Sequence, residues 1–120
     1  MRRGDVYDAR LEPTEGSEQA GWRPIVIVSR DAITNASNVV IGVPCTTFRA
    51  GRRVYPSQVL LHAGEAGLDR DSVALGEQLR ALAKSRLGRQ LGTLPTPALR
   101  QLERALAIAL DLPLTSLPRV

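Results

Sequence analysis

The chain has one cysteine, Cys45, and one histidine, His62, in 120 residues. A lone cysteine excludes an internal disulfide, and with a single histidine for company it also excludes a self-contained zinc site. There are only four aromatic residues: Tyr7, Trp22, Phe48 and Tyr55. That is too few for the extended base-stacking platform used by single-strand binders. Lysine occurs once, at Lys84, so nearly every cation is arginine. Arginine suits bidentate phosphate contacts, although a GC-rich genome produces the same bias. A net charge of +4 is compatible with nucleic-acid binding and does not demonstrate it. No apolar run approaches the length of a membrane span, and the arginines near the start precede no apolar stretch of a secretory signal. A cytoplasmic protein is expected.

What is present reads as a single globular domain over residues 1–112, followed by a short tail over 113–120 that carries Pro118. Hydrophobic residues make up 43% and charged residues 23%, ordinary values for a soluble domain. The first two-thirds reads as five or six short strands separated by turns. Val6–Leu11 alternates loosely, and Pro24–Ser29 is a near-continuous apolar run, the pattern of a strand buried on both faces. Val39–Pro44, Val54–Leu61 and Ser72–Leu75 complete the set. Phe48–Arg53, with Arg49, Arg52 and Arg53, resembles a hairpin connection. The period then changes. A shorter helical turn is expected around Ala81–Leu87. From Thr96, with Pro97 at the first helical position, Leu99, Leu102, Ala105, Leu106, Ala109 and Leu110 recur at helical spacing. Short strands followed by one amphipathic helix predict a small barrel or curled sheet packed by a C-terminal helix.

The polar residues that could carry chemistry lie at strand ends. Arg23 stands before Pro24 and the strand it opens, at the foot of a loop bounded by Gly16 and Gly21. Proline cannot donate to a sheet ladder, so it suits the first residue of a strand. Arg23 is then held at a rigid sheet end, where an always-charged, five-donor guanidinium can be aimed at a phosphate. An ordinary surface salt bridge is the competing role. The pair Thr46-Thr47 follows the apolar strand that ends at Cys45, and Glu77-Gln78-Leu79-Arg80 follows another. Strand ends at one rim of a curled sheet converge, and loops there tend to carry function. Hydroxyls at a strand end also simply cap backbone groups. His62 sits among small residues and glycines and reads as a surface loop residue. Cys45 reads as a small buried hydrophobe.

Four blocks together resemble the MazF/PemK family: Arg3-Gly4-Asp5-Val6-Tyr7, the stretch from Gly16 to Pro24, Pro44-Cys45-Thr46-Thr47, and Asp69-Arg70-Asp71-Ser72-Val73 continued by Glu77-Gln78-Leu79-Arg80. They stand in the family's order and spacing across nearly the whole chain. The resemblance implies an SH3-like (CcdB/PemK-like) barrel, mainly β with a C-terminal helix and working as a homodimer. It implies sequence-specific, metal-independent cleavage of single-stranded RNA, with no cofactor. Arg23 matches the family's catalytic arginine and Thr46 its catalytic threonine. Ser17, Glu18 and Gln19 match a loop that contacts RNA. Gln78 and Ser57 fall where the family places RNA-facing groups, and Thr47 and Arg80 join them as RNA-binding candidates. A MazE-like antitoxin with a flexible acidic segment is the implied protein partner, suited to a groove lined by the arginines of Phe48–Arg53. Trp22 departs from the smaller residue many members carry there, and this bears on the pocket's shape. A barrel that binds RNA or protein without catalysis is the alternative, and a gyrase poison of the same fold lacks matching blocks.

Overall fold

A computed structural model describes residues 1–11 and 21–114. The strands are β1 (Asp5–Arg10), β2 (Trp22–Ile27), β3 (Val39–Thr47), β4 (Gln58–Leu61), β5 (Ser72–Leu75), β6 (Arg80–Ala83) and β7 (Leu87–Thr93). Two α-helices accompany them, α1 (Asp31–Ala36) and α2 (Thr96–Ala109). The strands form one antiparallel sheet in the order β4-β5-β3-β2-β1-β7, with β6 pairing with β3 off this path. The long strand β3 serves three neighbours. Its residues 42–44 pair with β2, while on its other edge 39–42 pair with β6 and 45–47 with β5.

The two ends of the sheet meet where two backbones touch. A 3-10 turn at Glu65–Gly67, between β4 and β5, packs against β7. A Cβ on Gly67 would lie 1.8 Å from the Leu91 carbonyl oxygen, and one on Gly92 would lie 2.4 Å from the Ala66 carbonyl carbon. Only glycine permits this approach, and at Gly67 the backbone also has φ +75°, which disfavours any side chain. The contact closes the curled sheet into a small barrel.

Apolar residues fill both faces of β2. Val26 joins Val6, Val43, Val59, Leu61 and Ala74 in a cluster that Leu102 and Ala105 of α2 close from outside. Its neighbours Ile25 and Ile27 point the other way, into a cluster with Ala9, Leu11, Val40 and Leu82. The continuous apolar run of β2 has this two-sided burial as its cause. Full burial of a side chain such as Leu102 stabilises the fold by about 2 kcal/mol.

Several expectations are corrected. Residues 80–83 form strand β6, and only Lys84–Arg86 of the expected helical turn is helical, as a 3-10 turn. The strand expected over Val54–Leu61 begins at Gln58. Phe48–Arg53 does not connect a hairpin, because β5 lies between β3 and β4 in the sheet. Strand β2 starts at Trp22, so Pro24 is its third residue; the ladder to β3 covers only 25–27, which leaves Pro24 outside it. Helix α2 begins at Thr96 itself, with Pro95 preceding it and no side-chain cap. Its buried face includes Leu102 and Ala105 as expected, and also Ala98 and Ala107, while Leu110 lies beyond the helix end and is exposed. Helix α1 and strand β7 were not expected at all.

Candidate active site

Strand pairing alone carries Arg23 and Thr46 to one rim. Ile25 pairs with Pro44 and Val26 with Val43. Two residues beyond the end of that ladder, Arg23 and Thr46 stand on the two adjacent strands and line the same cleft. On the other edge of β3, Thr46 pairs with Val73 and Thr47 with Ser72, so β5 continues the rim. Strand β1 brings Asp8 opposite Pro24 and Ala9 opposite Arg23.

These strand ends enclose a cleft of about 320 Å³. Arg23, Thr46 and Thr47 line it, each half-buried, together with Asp8, Arg70 and Arg89. Asp69 also reaches its wall, so among the described residues three guanidiniums and two carboxylates line the cleft. Below it, the thiol of Cys45 is fully buried, and burial pushes its pKa up to about 12. A thiol so held is no nucleophile at neutral pH. His62 is exposed and outside the cleft, its backbone N–H donating to Glu65 at 3.3 Å. Among the described residues, no group of three histidine, cysteine or acidic side chains is placed to hold a metal ion.

The remaining candidates are distributed elsewhere. Ser17, Glu18 and Gln19 lie outside the described residues. The foot of their loop is closed beside the cleft by a hydrogen bond from the Leu11 N–H to the Gly21 carbonyl, 2.9 Å. Arg80 pairs with Gly42, four residues up β3 from Thr46, which is about 13 Å along the strand. Gln78 ends a 3-10 turn (Gly76–Gln78) beyond the end of β5 remote from Ser72. Ser57 donates to Glu77 at 3.2 Å and lines a separate shallow depression with Tyr55 and Ile108. Within one protomer, then, Ser57, Gln78 and Arg80 do not join Arg23 and Thr46.

Asp8, Arg70 and Arg89 were missed as cleft residues. Arg70 lay in a recognised block but reads alone as a turn residue. Asp8 is visible as a charge inside an apolar-alternating strand. Arg89 had no signal, because β7 was itself unrecognised.

A forked cation and a hydroxyl at one rim of an arginine-lined cleft suit a phosphodiester whose oxygens gain charge in a reaction. The chain matches, over residues 2–110, the family described as PemK-like, MazF-like toxins of type II toxin–antitoxin systems. It belongs to that family. An endoribonuclease MazF of Staphylococcus saprophyticus is 42% identical over 112 residues, covering 93% of this chain and 92% of the relative. Endoribonuclease MazF9 of Mycobacterium tuberculosis is 42% identical over 117 residues, covering 93% of this chain and 98% of the relative. The barrel of this MazF-like chain superposes on MazF from Deinococcus radiodurans with a TM-score of 0.78 at 27% identity, covering 93% and 97% of the two chains. A mycobacterial endoribonuclease solved with its cognate antitoxin gives a TM-score of 0.77 at 29% identity, covering 94% and 97%.

Proposed function

We propose that the chain is a sequence-specific, metal-independent endoribonuclease toxin that cleaves single-stranded RNA. The observation that carries the reading is the placement of Arg23 and Thr46 in one cleft that Arg70 and Arg89 also line. Two relatives at 42% identity are endoribonucleases, which supports the same assignment.

RNA supplies its own nucleophile. The 2′-oxygen attacks the adjacent phosphorus, the bond from phosphorus to the 5′-oxygen breaks, and the products are a 2′,3′-cyclic phosphate and a 5′-hydroxyl. The enzyme must hold the 2′-oxygen in line and stabilise charge on the non-bridging oxygens. In this reading Arg23 donates its fork to those oxygens and the Thr46 hydroxyl adds a neutral donor. Thr47, on the neighbouring β3 position, and the loop residues Ser17, Glu18 and Gln19 contact the flanking nucleotides. The toxin works in the cytoplasm as a homodimer. Tyr55 and Ile108, both about half exposed around the depression beside Ser57, offer a second copy apolar surface to cover. An antitoxin with an acidic segment covers the RNA groove along the arginines of Phe48–Arg53, which follow Thr47 in the chain, as an antitoxin accompanies the mycobacterial relative.

A deoxyribose at the scissile nucleotide removes the nucleophile and leaves the rest of the substrate intact. Such an oligonucleotide is expected to compete for binding with its all-ribose twin and to resist cleavage. Cleavage of the deoxy-substituted strand would rule out attack by the 2′-hydroxyl.

A further inference from the structure

Trp22, Asp8 and Arg89 are assigned no part in the chemistry above, yet all three line the cleft. Trp22 is the only tryptophan and is 56% exposed. An indole left in water at a strand start keeps its face available for stacking. The ring reaches from β2 across β1 to Gly88 of β7, where an added Cβ would lie 2.9 Å from Trp22 Cζ3 and 3.5 Å from Cη2. Gly88 does not have positive φ, so what its missing side chain provides there is room for the ring.

The same place carries a break in the ladder. Tyr7 pairs with Gln90 and Ala9 with Leu87, so Asp8 alone stands opposite two residues, Gly88 and Arg89. This is a β-bulge, a device that re-aims a side chain and recurs beside active sites. It gives Trp22 its glycine and sets Arg89 next to Asp8. Neither the Asp8 carboxylate nor the Arg89 guanidinium has a side-chain hydrogen bond or ion pair among the described residues. A carboxylate and a guanidinium in one cleft, beside an exposed aromatic ring, are positioned for an outside partner.

We propose that Trp22, Asp8 and Arg89 form a guanine-reading subsite beside the scissile phosphate, an inference that rests on the cleft being the RNA-cleaving site. Stacking on an indole is tolerant of base identity, so discrimination must come from the polar pair. An ionised carboxylate only accepts and a guanidinium only donates. Guanine alone presents two adjacent N–H donors, N1–H and the 2-amino group, followed by the O6 acceptor. Asp8 accepts from the two donors and Arg89 donates to O6. Uracil offers a single donor between two acceptors. Cytosine and adenine offer one amino group beside a ring nitrogen that would face the carboxylate unpaired.

The sole tryptophan reports on this subsite directly. The ligands are 2′-O-methyl heptaribonucleotides, which resist cleavage, with randomised flanks and a central guanine, inosine, adenine, cytosine or uracil. Quenching of Trp22 emission measures their binding. Inosine lacks the 2-amino group, so wild type should bind the guanine pool about tenfold more tightly than the inosine pool. It should bind guanine about tenfold to a hundredfold more tightly than the other three. Asp8→Asn preserves shape at a half-buried side chain that makes no hydrogen bond or ion pair among the described residues, and it should erase the difference between guanine and inosine. Equal affinity for guanine and inosine in wild type, an unchanged ratio in Asp8→Asn, or no quenching by any pool would overturn the proposal. Binding is read without cleavage, so a failure of the nuclease reading shows separately, as no cutting of ordinary RNA by wild type.

Discussion

Glu103 of α2 binds two guanidiniums at once, Arg100 three residues earlier at 2.8 Å and Arg3 from the start of the chain. Arg3 in turn donates to the Val28 carbonyl at 3.1 Å, and its backbone N–H donates to Asp31 at 2.9 Å, so one carboxylate ties α2 to β2 and α1. Burial raises the Glu103 pKa, but the hydrogen bonds and charges of Arg100 and Arg3 outweigh it and hold the carboxyl below its ordinary 4.5. A depressed folded-state pKa stabilises the fold above the unfolded value, and that contribution is lost as pH falls through the folded one. Glu103→Gln should therefore cost about 1–2 kcal/mol at pH 7. The gap from wild type, measured by urea unfolding, should shrink between pH 5 and pH 3. A gap independent of pH would mean that ionisation of Glu103 contributes nothing. At this scale Arg23, Thr46 and Cys45 were legible, because each adjoins an apolar strand whose end fixes its place. Asp8 and Arg89 were not, since their place in the cleft depends on a bulge between the first strand and the last.

Elements whose side chains are buried announced themselves, and largely exposed elements did not. Strand β2 and helix α2 carry apolar patterns that only burial explains. Strand β7, Leu-Gly-Arg-Gln-Leu-Gly-Thr, is largely exposed and holds two glycines, so its alternation is weak. Residues 80–83 favour a helix by composition, yet they pair with Val39–Gly42, and tertiary pairing overrides such a preference. Helix α1 spans only six residues, too few for a periodic signal. The seam between the Glu65–Gly67 turn and β7 is the element-level feature with the largest stake. Gly67→Ala must both strain a positive φ and push against the Leu91 carbonyl, so it should cost more than about 2 kcal/mol. A lower urea midpoint at unchanged slope is the expected result. An unchanged midpoint would show that the barrel does not depend on this closure. Gly67 and Leu91 also line the cleft, so opening the seam should slow cleavage as well.

For the whole molecule, a modest net charge of +4 matters less than where the charge lies. Closing the sheet gathers the ends of β1, β2, β3 and β5 with the middle of β7, and three arginines meet there. The family blocks alone imply the barrel, its C-terminal helix and the rim shared by Arg23 and Thr46. They could not bring Ser57, Gln78 and Arg80 to that rim, because strand register places those residues beyond the reach of one protomer's cleft. The decisive measurement is cleavage of a long single-stranded RNA by wild type and by Arg23→Ala, in EDTA, with mapping of the product ends. Wild type should make discrete cuts ending in cyclic phosphates, and loss of one transition-state donor should slow Arg23→Ala by on the order of a hundredfold to a thousandfold. Near-normal cutting by a folded Arg23→Ala variant, or none by folded wild type, would contradict the assignment of this cleft as the catalytic site.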